Sequence, residues 1–153
     1  MSDPASLESP VDDGHCFACG KNSAIGMKMK FSELPDGSVE SRLTLAQPYQ
    51  GWRGLAHGGI VAMLLDEAMA YAAGARGYKG MTAELKLRFR KPVPIGEPIV
   101  VRGAVRWERR NVLNIEAHIE SEAGVELAGG EGSFIAKARL EPGRRLGDID
   151  GGA

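Results

Sequence analysis

The amino-acid sequence predicts an α+β domain, with one long central helix wrapped by an antiparallel β-sheet of five to six strands. Two observations predict it. Most of the chain between residues 15 and 140 alternates apolar and polar residues with period two. That is the pattern of strands that set one side on a core and the other on solvent. One stretch breaks it, from about Gly58 to Ala73, where Ala, Met and Leu, all good helix formers, dominate. Its sixteen residues make a helix of roughly 24 Å. Its apolar residues cover nearly all faces, so burial along its whole length is expected.

The elements follow in order. Residues 1–14 carry Pro, Asp and Ser without periodicity and read as a flexible N-terminal arm. Met27, Met29 and Phe31 alternate with Lys28 and Lys30, which reads as a first strand. Val39, Ser41, Leu43 and Leu45 form a second, and the turn residues Leu34-Pro35-Asp36-Gly37-Ser38 between the two predict a hairpin. After the helix come Leu85, Leu87 and Phe89, then Ile99, Val101, Val105 and Trp107, then Leu113, Ile115, Ala117 and Ile119. A last strand runs from about Glu126 to Lys137, with Gly129, Gly130 and Gly132 suggesting a bulge or bend. Residues 15–140 thus form a single domain, and 141–153, rich in Gly and Pro, read as a flexible C-terminal tail.

Composition excludes several function classes. A chain of 153 residues with formal net charge -1 has no basic excess, so no nucleic-acid partner is expected. No apolar run reaches the roughly 18 to 20 residues needed to span a bilayer. The first residues lack the basic and apolar regions of a secretory signal, so a cytoplasmic protein without a membrane partner is expected. Cys16 and Cys19 are not a disulfide framework. With His15 they supply three soft ligands, but a closed zinc site needs a fourth and there is no second CxxC. A tight turn is expected there, with no metal and no cofactor.

The chemistry concentrates at the helix start, Gly54-Leu55-Ala56-His57-Gly58-Gly59-Ile60-Val61-Ala62-Met63-Leu64-Leu65-Asp66-Glu67-Ala68. Burying an unpaired carboxylate is costly, so two acids inside such a run need a reason. The first N–H groups of a helix have no intrahelical acceptor and lie at the positive end of its dipole. The Gly58 N–H is therefore a ready oxyanion donor. Asp66 follows eight residues later, about 12 Å along the axis, too far for both groups of one chain to touch one carbonyl. If they act together they come from different chains, which predicts a dimer with two identical sites and an Asp66 that faces a polar cleft between subunits. His57 is expected to satisfy backbone groups at the helix start. Glu67, about 100° further round the helix, is expected to be an interfacial or solvated acid.

His57-Gly58-Gly59, six residues, then Asp66 resembles the signature of hotdog-fold acyl-CoA thioesterases of the 4-hydroxybenzoyl-CoA and phenylacetate-degradation type. The loop Gln50-Gly51-Trp52-Arg53-Gly54-Leu55-Ala56, the stretch Gly80–Pro92 and the early His15-Cys16-Phe17-Ala18-Cys19-Gly20 with Ile25-Gly26-Met27 are similar too, so the resemblance covers roughly residues 15 to 138. It implies a hydrolase that cuts an acyl-CoA, or a related acyl thioester, to free acid and thiol. Gly58 would polarise the carbonyl through its N–H, Asp66 would serve as general base or nucleophile, and Thr82 would position the water or the base. His57, Gly59 and Gln50 would contact substrate, and the protein would be a homodimer or a homotetramer built as a dimer of dimers. The chain departs from the pattern at one point. Such enzymes often carry Asn or Gln six residues before the motif histidine; Gly51 stands there, with Gln50 one residue earlier. Two other readings remain: a hotdog enoyl-thioester hydratase or dehydratase, and a non-catalytic acyl-CoA binding protein.

Overall fold

The computed structural model describes residues 10–148; the expectations for residues 1–9 and 149–153 lie outside them. The chain forms β1 (Ser32–Glu33), β2 (Val39–Thr44), a short 3-10 turn (Gln47–Tyr49), α1 (Gly58–Ala75), β3 (Tyr78–Phe89), β4 (Pro98–Arg109), β5 (Val112–Ser121) and β6 (Glu126–Arg139). All pairings are antiparallel, in one six-stranded sheet of order β1-β2-β4-β5-β6-β3. The helix packs on β2 to β6, and the strand that follows it returns to the far edge of the sheet.

The helix starts on an N-cap. His57 is extended (φ -60, ψ 139) and its Nδ1 accepts the Gly59 N–H at 2.8 Å. It ends where Gly77 takes φ 86, a left-handed turn that glycine adopts without strain, with the Gly77 N–H donating to the Gly74 carbonyl at 2.9 Å. Val61, Leu64, Leu65, Ala68, Met69, Ala72 and Ala73 are buried, a stripe at i, i+3, i+4, i+7 spacing. Leu64 and Leu65 are fully covered, each burial favourable by about 1.5–3 kcal/mol. The expectation of burial all round is therefore corrected. One face is closed by the sheet, while Met63, Asp66, Glu67, Ala70 and Tyr71 on the other sides are half-covered. Closeness to the sheet requires Gly103 in β4, where a Cβ would stand 2.6 Å from the Ala68 carbonyl oxygen.

Two other expectations change. Met27–Phe31 is not a strand. Its side chains do alternate, with Met29 buried and Met27 and Phe31 against the core. Its backbone turns elsewhere, however: the Met27 and Met29 N–H groups donate to the Phe17 and Ala18 carbonyls at 3.0 and 2.9 Å, and Lys28 sits at φ 52. Only Ser32 and Glu33 pair with β2. The glycines of β6 are also not its bulges. The register slips at Leu127 and at Lys137, whereas Gly130 and Gly132 let neighbours close in: a Cβ would meet the Lys86 carbonyl at Gly130 and Met69 Sδ, at 2.8 Å, at Gly132. Beyond β6, Leu146 reaches back to lie over Gly74, and Gly147 lies over Tyr71.

Candidate active site

The loop before α1 is built by short backbone bonds. Gly51 N–H donates to the Leu55 carbonyl, His57 N–H to the Tyr49 carbonyl and Ala56 N–H to the Val93 carbonyl. These hold the helix start at the surface beside a cavity of about 360 Å³ lined by Gly51, Trp52, Ala56, His57 and Gly58. The Gly59 N–H is engaged by the His57 imidazole, so that ring nitrogen is an acceptor. The Gly58 N–H has no acceptor among the described residues. A Cβ on Gly58 would meet nothing within 4 Å. The chain's own packing does not require a glycine there, and the bare backbone leaves room for another molecule to approach the N–H.

Gln50 does not reach this donor by any described bond. Its side-chain carbonyl accepts the Gly54 N–H at 3.2 Å, inside its own loop. The departure at Gly51 has a steric reason: a Cβ at that position would stand 3.1 Å from His57 Cα. Gly59 offers no free N–H to a substrate. Of the three predicted contacts, His57 and Gly59 thus shape the helix start, and Gln50 braces the loop.

Asp66 and Thr82 come together. Thr82 Oγ1 donates to Asp66 Oδ1 at 2.6 Å. The alternation of β3 argues against such a pair, because Leu85, Leu87 and Phe89 fall on odd positions and Thr82 on an even one. The register resolves it. Thr82 is opposite Phe134 and Glu84 opposite Ser133, so Ala83 is an extra residue, a β-bulge. The bulge inverts the phase of the strand. Thr82, paired with the buried Phe134, and Leu85 and Leu87, paired with Gly132 and Gly130, then share the helix side. Sequence reasoning missed the bulge, although the signal was present: an even-numbered threonine can join odd-numbered core residues only if one residue is skipped between them.

Glu67, expected to be an interfacial or solvated acid, is half-covered within the chain itself. It faces the first loop, where Cys16 Sγ lies 3.9 Å from Glu67 Oε1, and Cys16, Cys19 and Glu67 place their ligand atoms within 4.8 Å of one another. Burial pushes the Glu67 carboxyl above the usual carboxylate range, against hydrogen bonds from Cys19 and Cys16. Burial likewise pushes the Cys19 thiol and the Tyr71 phenol up.

The strand that carries Thr82 is one edge of the sheet. Met81, Leu85 and Phe89 on it are 42%, 37% and 58% exposed in the single chain, unusual for a long apolar edge. On the outer side, Lys86, Arg88, Arg90 and Arg106 line a groove, but Glu126 and Glu131 pair with Arg90 and Arg106 at 3.3 and 3.2 Å. The groove is therefore a mixed-charge surface and no anion cradle.

Comparison with known proteins places this chain in a family. A family model described as the thioesterase superfamily matches residues 53–128. Acyl-coenzyme A thioesterase THEM4 of Bos taurus is 30% identical over 115 residues, 74% of this chain and 47% of that protein. The chain spans about half the length, or less, of the curated relatives it matches. A crystal structure of a thioesterase superfamily protein superposes with TM-score 0.77 at 30% identity, covering 85% of this chain and 68% of that one. A hypothetical thioesterase from Streptococcus pneumoniae, solved with coenzyme A, shares the fold at TM-score 0.70 and 16% identity, covering 74% of this chain and 92% of its own. The single helix on a six-stranded antiparallel sheet is the hotdog fold, and the chain belongs to the thioesterase superfamily.

Proposed function

We propose that the protein hydrolyses an acyl-CoA, or a related acyl thioester, to free acid and thiol, in sites shared between two copies of the chain. The observation that carries the reading is the pair of half-sites. Asp66, oriented by Thr82 at 2.6 Å, and the unengaged Gly58 N–H lie eight residues apart on one helix, about 12 Å. Two copies related by a two-fold axis, paired through the β3 edge with their helices antiparallel, bring Asp66 of one to Gly58 of the other. The exposed apolar residues of β3 support that edge as the interface. The streptococcal hypothetical thioesterase has been crystallised with an aspartate and a threonine, sixteen positions apart, each replaced by alanine; Asp66 and Thr82 have the same separation.

In the reaction the Gly58 N–H and the dipole of α1 receive the charge that develops on the thioester oxygen. Asp66 takes a proton from water as the water oxygen bonds to the carbonyl carbon. The C–S bond then breaks, the thiolate leaves and takes up the proton, and the acid is released. Direct attack by the Asp66 carboxylate, with water resolving the resulting anhydride, uses the same groups. A thiolate leaves readily, so the site needs no metal for this step. One oxyanion donor is worth about 10²–10³-fold and a general base about 10²–10⁴-fold.

A thiol-release assay over short, long and aromatic acyl-CoAs tests the reading, with wild type beside Asp66→Asn. Hydrolysis that falls by about two orders of magnitude or more in a folded variant supports it. No thiol release by wild type from any substrate, with hydration of an enoyl-CoA instead, replaces it with the lyase reading. Binding without turnover leaves a carrier.

A further inference from the structure

We propose that Cys16, Cys19 and Glu67 form a zinc site that fastens the loop before the sheet to the central helix, with solvent in the fourth position. Sequence reasoning looked for the fourth partner of Cys16, Cys19 and His15 among cysteines and histidines. The fold offers a different set. The His15 imidazole turns away and bonds to the Asp13 carbonyl at 3.1 Å, while Glu67 arrives from α1, fifty-one positions after Cys16.

Geometry supports the assignment. Tetrahedral zinc with Zn–S near 2.3 Å and Zn–O near 2.1 Å sets its ligand atoms roughly 3.6–3.8 Å apart. Cys16 Sγ and Glu67 Oε1 are already 3.9 Å apart, and all three ligand atoms lie within 4.8 Å of each other. Closing on an ion therefore needs shifts of about 1 Å or less, within the reach of side-chain torsions.

The loop is fixed in the required shape. In Cys16-Phe17-Ala18-Cys19-Gly20 the Gly20 N–H returns to the Cys16 carbonyl at 2.8 Å, and the Met27 and Met29 N–H groups hold Phe17 and Ala18. Only glycine fits at position 20, where a Cβ would stand 2.4 Å from the Cys16 nitrogen and 2.5 Å from the Gly14 carbonyl oxygen. The spacing is that of paired zinc thiolates. Tyr71, one helical turn after Glu67, lies beside Cys19. It stacks on Phe31 with ring centroids 4.4 Å apart, which places its hydroxyl to serve as an outer partner of that sulfur.

Chemistry points the same way. No described ion pair gives Glu67 a cationic side-chain partner. A carboxylate packed against two sulfurs is a set of three groups that a divalent cation can deprotonate and bind together. Soft thiolates with one carboxylate favour zinc over magnesium or calcium. Binding forms two Zn–S bonds and one Zn–O bond, and two thiol protons pass to solvent. No electron transfer is involved.

The test uses tag-free protein prepared with reductant and zinc and then dialysed. The expected result is about one zinc per chain, and on substitution with cobalt a thiolate-to-metal absorption band. Cys19→Ser and Glu67→Gln should lose the stoichiometric metal. Tyr71→Phe, which keeps the stack on Phe31, should weaken zinc binding about 10- to 100-fold. Chelation should raise hydrogen exchange in residues 14–29 while the sheet stays protected. Protein that takes up no zinc and gives no cobalt–thiolate band overturns the proposal, as does a Cys16–Cys19 disulfide under these conditions. If Cys19→Ser fails to fold, Tyr71→Phe and the wild-type cobalt spectrum still decide. These readouts do not depend on turnover, so they stand apart from the thioesterase reading.

Discussion

Replacing Gly58 with proline removes one atom group from the proposed site and almost nothing from the fold. Gly58 is the first residue of α1, where proline is well tolerated because that N–H has no intrahelical acceptor. His57, just before it, has φ -60 and ψ 139, the extended region that a residue preceding proline prefers. A Cβ there meets no atom within 4 Å, and the first helical bond, Val61 N–H to the His57 carbonyl at 3.0 Å, is untouched. Stability should therefore change by less than about 1 kcal/mol. The oxyanion donor, however, is gone, and its loss costs about 2.7–4 kcal/mol in the transition state, or about 100- to 1,000-fold in kcat. Gly58→Ala, which keeps the N–H, is the control for the added side-chain volume and should lose less activity than Gly58→Pro. The assay is thiol release under saturating acyl-CoA, with the melting temperature and oligomeric state measured in parallel. A folded Gly58→Pro protein whose kcat stays close to that of wild type refutes the assignment of the N–H.

Two further predictions rest on single contacts. Thr82→Val keeps the shape of a β-branched strand residue and deletes the hydroxyl that donates to Asp66 at 2.6 Å. A hydrogen bond to a charged group is worth about 1.5–3 kcal/mol, so kcat should fall about 10- to 150-fold with little change in KM, and Thr82→Ser should recover most of it; equal kcat in the valine variant means that Thr82 does not orient the base. Gly103→Ala forces a methyl to within 2.6 Å of the Ala68 carbonyl oxygen, and backbone against backbone cannot yield cheaply. A loss of about 1–3 kcal/mol in denaturant unfolding is expected, and unchanged stability would mean that the helix lies further from β4.

Much of the fold was legible because burial writes its period into the chain. β2 and β5 carry an uninterrupted alternation, and their boundaries and those of β4 fall close to those expected; in β4 the register slips at Arg106, so Trp107, expected in phase with Val105, turns to the other face and is exposed. The helix, with one start signal and one glycine stop, extends two residues past the expected end. What stayed hidden depends on backbone partners. Met27–Phe31 alternates like a strand, yet its N–H groups go to the cysteine loop, and no side-chain pattern reports that choice. The bulge at Ala83 breaks the phase of β3, so the strand's alternation does not report which face Thr82 is on. Asp66 and Gly58 stood out because a carboxylate in an apolar run and a bare N–H at a helix start each demand an explanation. The surroundings of Glu67 were not legible, because its neighbours, Cys16 and Cys19, are supplied by a segment far away in sequence.

The central claim is that each site takes its aspartate from one chain and its N–H donor from the other, and mixing two inactive variants tests it most directly. Asp66→Asn and Gly58→Pro are each expected to form dimers with two broken sites. In a heterodimer of the two, one site combines the intact Asp66 with the intact Gly58 and the other combines both lesions. Equal amounts, allowed to exchange subunits, should recover about a quarter of the wild-type rate, since half of the dimers are mixed and each has one working site. If both groups act within a single chain, every site in the mixture remains broken. Activity that stays at the level of the parents, in a sample shown to contain heterodimers, would contradict the shared site.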